Sequence, residues 1–271
     1  MEDIPVISFD GNDKTCSGDE FTLNATAANS NIQWEWERNG VRESLSETVI
    51  NMTLTTDKSS EIVKYIATAE TNNAYKCTNK DSISVNVFSK PTNSIEGESL
   101  ICEGNSASIK SKNAFKNYSW IDVKDPAFVL STVNNPTFSP SETTQYQLTV
   151  TDDNGCTTTS NATVSVIGKP DFDFSYTAVC EDEDAVITIN STHADQYNYQ
   201  WNYNNSTGQS ITIPQIKESI TLKVTASDKD LESCQTTKEY PISVNKKPVF
   251  DIITDATDNT ICSNNTINIS G

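Results

Sequence analysis

Short runs in which apolar and polar residues alternate fill this chain, separated by turn-forming residues. Ser106-Ala107-Ser108-Ile109-Lys110, Tyr118-Ser119-Trp120-Ile121, Gln145-Tyr146-Gln147-Leu148-Thr149-Val150-Thr151 and Ala162-Thr163-Val164-Ser165-Val166 lie within one such stretch. A period of two, enriched in Val, Ile, Thr and Tyr, predicts half-buried antiparallel strands. No stretch of about 11 residues or more keeps a 3.6-residue period, so helices are not expected. Asn39-Gly40 and Asn154-Gly155 predict type I′ hairpin turns, in which both central residues need positive φ.

Aligned on itself, the chain yields three copies of one unit and the start of a fourth. Pro5, Pro91, Pro170 and Pro248 recur at separations of 86, 79 and 78 residues. Each is followed by a cysteine (Cys16, Cys102, Cys180, Cys262), and in the three full copies by a tryptophan and a second cysteine (Cys77, Cys156, Cys234). The second cysteine stands 14 residues before the next proline every time, which marks one rigid element between variable loops. The expected boundaries are 1–90, 91–169, 170–247 and a remnant at 248–271. Six or seven strands in about 80 residues, with a central Trp and a Tyr opening a late strand, predict an all-β chain of tandem immunoglobulin-like antiparallel sandwiches. Trp36, Trp120 and Trp201 are the expected core tryptophans, with Tyr65 and Tyr146 beside them. Trp34 shares a face with Trp36, and Leu23, Ile109, Leu148, Val150, Ile187, Ile220, Leu222 and Val224 complete the expected cores. The copies meet at Lys90-Pro91, Lys169-Pro170 and Lys247-Pro248, where proline fixes φ and extends its predecessor, so short stiff joints and a rod are expected.

Charge narrows the partners. The 271 residues carry 37 acidic and 19 basic side chains, a net charge of −18. Nucleic-acid binding draws on Lys and Arg against phosphate, so it is excluded. The longest apolar run, Ala127 to Leu130, is far short of the roughly 20 residues a membrane helix needs. Met1-Glu2-Asp3-Ile4-Pro5 lacks the regions of a signal peptide and reads as an artificial start or cleavage scar. The fourth copy breaks off at Gly271, so a longer natural chain is expected. Seven cysteines in an acidic, Asn/Ser/Thr-rich chain suit an oxidising compartment.

Ile101-Cys102-Glu103-Gly104, Tyr118-Ser119-Trp120 and the stretch Thr143 to Cys156, which contains Gln145-Tyr146-Gln147-Leu148 and Asp152-Asp153-Asn154-Gly155-Cys156, resemble the Ig-like, PKD-like repeats of giant Bacteroidota surface proteins. That family includes type IX-secreted adhesins and SprB-like gliding adhesins. The third copy carries Ile220 where the pattern has Tyr. The resemblance implies export by the type IX machinery, display at the cell surface with outer-membrane attachment, and a role in adhesion or stalk building. Neighbouring repeats of the same chain are the expected partners, and a surface, glycan or protein ligand is expected at other parts of the full-length protein.

Candidate chemistry is sparse. His193 is the single histidine and lies in the polar loop Ser191-Thr192-His193-Ala194-Asp195. No Cys-x-x-Cys exists for zinc. No catalysis is expected, and no cofactor other than calcium. The candidate calcium site is the joint of the second and third copies, where Asp171, Asp173, Asp228, Asp230 and Glu103 are expected to gather, because calcium takes 6 to 8 oxygens from such loops. A second reading of function is a module that binds a glycan or protein through loops of the first copy, whose Trp34 and Trp36 suggest a sugar platform, as an accessory to a secreted enzyme.

Two cysteine pairings are open. One keeps pairs within copies: Cys16 with Cys77, Cys102 with Cys156, Cys180 with Cys234. The other follows strand direction. A first strand that runs from the joint to the far pole carries Cys102 away from Cys156, which precedes the last strand, and a disulfide needs Cα atoms within roughly 7 Å. Pairing across joints then gives Cys16 with Cys156 and Cys102 with Cys234, and leaves Cys77, Cys180 and Cys262 for neighbours.

Overall fold

Alternation becomes strand wherever one face finds a partner sheet. In Glu20–Thr26, Phe21, Leu23 and Ala25 are buried while Glu20, Thr22 and Thr26 face solvent, the inward and outward sides of a pleated strand. The computed structural model describes residues 4–249 and the backbone of two further short strands. Among the described residues the one helical turn is a 3-10 turn at Ala194–Gln196.

The first copy supplies β1 (Ser8–Gly11), β2 (Lys14–Cys16), β3 (Glu20–Thr26), β4 (Ser30–Arg38), β5 (Val41–Leu45), β6 (Val49–Thr53), β7 (Ser60–Thr71) and β8 (Thr78–Phe88). They form a three-stranded sheet, β1-β3-β6, and a five-stranded sheet, β2-β8-β7-β4-β5. Every pairing is antiparallel except β2 with β8, which is parallel and sets Cys16 beside Phe88. The first stretch of chain therefore changes sheets between β1 and β2. It does so at Gly11, whose φ of +134° is open to glycine alone and whose Cβ, if present, would meet the Thr22 carbonyl oxygen at 2.4 Å.

The second copy repeats the plan with β9 (Ile95–Gly97), β10 (Leu100–Cys102), β11 (Ala107–Ser111), β12 (Asn117–Asp122), β13 (Asp125–Ser131), β14 (Thr137–Phe138), β15 (Thr144–Thr151) and β16 (Thr157–Ile167). Its sheets are β14-β11-β9 and β10-β16-β15-β12-β13. Gly97 stands in for Gly11, with the same φ and a carbonyl, that of Ser108, 2.3 Å from the missing Cβ. The third copy has β17 (Asp173–Tyr176), β18 (Val179–Cys180), β19 (Glu183–Asn190), β20 (Tyr197–Trp201), β21 (Ser210–Ile216), β22 (Ile220–Asp228), β23 (Gln235–Ile242) and β24 (Val244–Asn245). Here the sheets are β17-β19-β21 and β20-β22-β23, with β18 paired in parallel to β24. The last two strands, β25 (Ile253–Thr254) and β26 (Ile269–Ser270), pair antiparallel. The chain divides into two compact units, residues 1–100 with 104–166, and residues 101–103 with 167–271.

One expected turn differs. Asn39 and Gly40 both have positive φ, 51° and 78°, and close the β4–β5 hairpin as a type I′ turn. At Asn154-Gly155 only Gly155 does, at 91°. Asp152 takes over this turn: its Oδ1 accepts the amides of Asn154 and Cys156, at 2.9 and 2.8 Å. A side-chain acceptor at the first turn position competes with the tight two-residue geometry.

Each sandwich core centres on a tryptophan. Trp120 and Trp201 are buried, and their indole N–H groups donate to the carbonyls of Val133 and Gly208 at 2.9 and 2.8 Å. In the first copy the equivalent is Trp34, not Trp36. Trp34 is 1% exposed, donates to the Thr48 carbonyl at 3.1 Å and stands opposite Ala67, as Trp120 stands opposite Leu148 and Trp201 opposite Val224. Trp36 lies two residues further along the same face, half-buried at the core's margin. A similar slip occurs in the third copy, where Leu222 rather than Ile220 occupies the position of Tyr146, and Ile220 is only partly buried. Both slips are of two residues, the strand period, so a sequence pattern scores the two registers alike. The remaining core is aliphatic and aromatic: Leu23, Ile50, Val63 and Tyr65 in the first copy, Ile109, Tyr146, Leu148 and Val150 in the second, Ile187, Ile189, Val224 and Ile242 in the third.

Candidate functional site

The cysteines occupy two recurring places. One closes the short strand that pairs in parallel with the end of the copy: Cys16 ends β2 and Cys180 ends β18 opposite Asn245, while Cys102 ends β10. The other lies in the turn before the long strand β8, β16 or β23. A polar side chain six or four residues upstream anchors that turn. Thr71 N donates to the Cys77 carbonyl, Asp152 N to that of Cys156 and Asp228 N to that of Cys234, at 2.9, 3.0 and 2.9 Å. The Cys77 amide donates in return to Thr71 Oγ1 at 2.9 Å. In the sequence this anchor is visible only as a Thr or Asp at the strand end before each second cysteine, Thr71, Asp152 and Asp228.

Two disulfides are present among the described residues. Cys16 joins Cys156 with Cα atoms 5.6 Å apart, and Cys102 joins Cys234 at 5.1 Å. Each runs from the first cysteine of one copy to the second cysteine of the next. The within-copy alternative does not occur for these four residues, and parallel pairing of β2 with β8 is the reason. Cys77 precedes β8 while Cys16 stands beside its last residue, Phe88. The 11 residues of that strand, at roughly 3.3 Å each, put about 36 Å between them. Cys77 is half-buried and Cys180 exposed, both with free thiols; Cys262 lies outside the described residues.

Of the five acidic residues expected around calcium, three have partners within the third copy. Asp228 is buried, and its Oδ1 accepts the amides of Asp230 and Leu231 at 2.9 and 3.2 Å, holding its own turn. Asp171 pairs with Lys238 at 3.2 Å. Asp173 Oδ1 accepts the Phe174 amide at 2.8 Å, and Asp173 adds to the effect of burial in pushing the Tyr240 phenol up to about 12. Glu103 and Asp230 face solvent. Among the described residues no three His, Cys, Asp or Glu side chains gather to hold a metal ion. Asp173 and Asp228 thus hold their own turns, and Asp171 pairs with lysine.

His193 is exposed in its loop, with Nδ1 2.9 Å from the Thr192 hydroxyl. Trp34 is spent on the core of the first copy, so the face that suggested a sugar platform holds only the half-buried Trp36. The most protected ion pair is structural: Arg38 donates to Glu61 Oε2 at 2.5 Å and Asn39 to Oε1 at 2.7 Å. The guanidinium beside it holds the Glu61 carboxyl at about 2.

No protein-family model matches the sequence, and no curated protein does. Solved structures similar to it include the three N-terminal domains of the highly immunogenic outer capsid protein Hoc of bacteriophage RB49, at 11% identity, TM-score 0.43, and coverage of 90% of this chain and 99% of that one. A four-domain ectodomain fragment of ICAM-5 has 11% identity and TM-score 0.41, covering 88% of this chain and 76% of that one. A structure of a 1.5-MDa bacterial ice-binding adhesin, described for host cell surface retention, has 11% identity and TM-score 0.34, covering 91% and 100%. By its own strand orders, with a short strand leaving one sheet for the other and a buried tryptophan facing the opposite sheet, the chain is an all-β tandem of immunoglobulin-like sandwiches.

Proposed function

We propose that the chain is a non-catalytic stalk segment of a surface-displayed adhesin, with repeats at 1–90, 91–169 and 170–247 and a further repeat begun at 248. One observation carries the reading: both disulfides tie a copy to its successor instead of closing a copy on itself. A bond inside a sandwich stabilises that sandwich, whereas a bond between successive copies restrains bending at the proline joint, which matters only if the chain transmits force or holds something at a distance. The acidic charge divides as −6, −3 and −6 over the three copies, keeping neighbouring stalks soluble and apart. Extracellular localisation follows from the disulfides. Type IX export, outer-membrane attachment and a link to gliding rest on the resemblance of the second copy alone.

Small-angle scattering of the whole chain tests the stalk. Three copies of roughly 30–40 Å each give a maximum dimension of about 100 Å or more, and a value near 60 Å rejects an extended arrangement.

A further inference from the structure

Both disulfides obey one rule: the first cysteine of a copy bonds the second cysteine of the next. Along the described residues the rule leaves two free thiols, and they are of opposite kinds. Cys77 is a second cysteine, that of the first copy; Cys180 is a first cysteine, that of the third. Each stands in a site built like the bonded ones. Thr71 Oγ1 accepts the Cys77 amide at 2.9 Å, as Asp152 Oδ1 accepts that of Cys156 at 2.8 Å. At the other kind of site, the residue after the cysteine donates its amide to the carbonyl that ends the last strand of the copy. Ser17 donates to Phe88, Glu103 to Ile167 and Glu181 to Asn245, at 2.7, 2.8 and 2.8 Å. The backbone at Cys180 is therefore set as it is at Cys16 and Cys102, both of which carry a bond.

What the two free sites lack is cover. Cys156 and Cys234 are fully buried, whereas Cys77 in the same kind of turn is half-buried. Cys102 is 3% exposed, whereas Cys180 is open to solvent. Apolar side chains are left uncovered beside Cys77 as well. Tyr75, two residues before it, is 77% exposed, and so is Val6, which lines a groove with the anchoring Thr71. A thiol held ready for a bond, next to uncovered apolar side chains, suits a protein face that brings a first cysteine of its own. We propose that the Cys77 end of one chain docks against the Cys180 end of a second copy of the chain, and that the two thiols close a head-to-tail disulfide. This repeats between chains the bond that joins successive copies within one. A head-to-tail contact does not close on itself, so it adds chains in series. A small-molecule disulfide such as glutathione disulfide is the oxidant. It forms a mixed disulfide at the exposed Cys180 and releases one thiol; the Cys77 thiolate then displaces the second, so two protein thiols are oxidised and one disulfide is reduced. The contact lies between chains, so the shape of a single chain in scattering neither supports nor rejects it.

Two variants of the full chain test it, each with Cys262→Ser so that this cysteine cannot compete. One adds Cys77→Ser and offers only Cys180; the other adds Cys180→Ser and offers only Cys77. In a glutathione redox buffer their mixture is expected to give a covalent dimer whose peptide map links Cys180 to Cys77, in at least fivefold greater yield than the like-with-like dimers of either variant alone. Tyr75→Ser in the chain that keeps Cys77 lowers that yield threefold or more while the alkylation rate of Cys77 stays level, which separates docking from thiol reactivity. Equal yields in the mixture and in the single variants, or no mixed dimer, overturn the proposal.

Discussion

Cys16 stands beside Phe88 at the last step of the parallel β2–β8 pairing, while Cys77 lies just ahead of the first residue of β8. The two cysteines of one copy are thus held at opposite ends of a single strand, and Cys16 is left to meet Cys156, 140 residues away in sequence. The same placement recurs at Cys180, beside Asn245, with Cys234 ahead of β23.

A peptide map without reduction is expected to link Cys16 to Cys156 and Cys102 to Cys234. Alkylation of the native protein modifies Cys180, which is exposed, faster than the half-buried Cys77. Replacing Cys16 and Cys156 by Ser removes a crosslink spanning 140 residues, worth about 2–5 kcal/mol in unfolded-chain entropy. Guanidinium unfolding measures the loss, and a midpoint unchanged from wild type shows that the bond does not couple the copies.

Gly11→Ala is expected to destabilise the first copy by about 2–4 kcal/mol, since it combines a positive φ with a backbone clash. Gly18→Ala, at φ +83° but with nothing within 4 Å of the new Cβ, serves as the comparison and loses only about 1 kcal/mol. Thermal unfolding of the two variants separates the clash from the dihedral strain; equal losses argue that the sheet crossing has moved to accommodate the methyl group.

Trp34→Ala is expected to cost about 3–5 kcal/mol and Trp36→Ala about 1 kcal/mol, because only the first opens a cavity in a closed core and strands the Thr48 carbonyl. Tryptophan fluorescence during denaturant unfolding reads both. The reverse order of losses would restore Trp36 to the centre of the sandwich.

Arg38 and Asn39 hold the Glu61 carboxyl at about 2 in the folded chain, below its ordinary value near 4.5. A depressed carboxyl contributes stability above the unfolded value and loses it as pH falls through the folded one. Stability of the first copy therefore declines between about pH 4.5 and 2, and Glu61→Gln flattens that decline. The Arg38 side chain is 24% exposed, so the pair contributes only about 1 kcal/mol. Urea midpoints at pH 6 and 3 measure it, and identical slopes in both proteins would assign the acid sensitivity to other carboxylates.

Much of this molecule is written locally. Alternation with a period of two marks the core strands, such as Gln145 to Thr151 in β15, because burial on one face of a sheet selects apolar residues at every second position. The repeat of Pro, Cys, Trp and Cys likewise announces tandem sandwiches before any contact is known. What the same period leaves undecided is register: Trp34 and Trp36 share a face, as do Ile220 and Leu222, and only the opposite sheet determines which one is covered. Asp152 shows a second limit, since its side chain converts an Asn-Gly signal into another turn through bonds to residues that no dipeptide rule includes. Cysteine pairing depends on long-range order for the same reason. Spacing admits bonds within copies or between them, and what decides is the crossing at Gly11, which carries Cys16 into the second sheet parallel to β8 and away from Cys77.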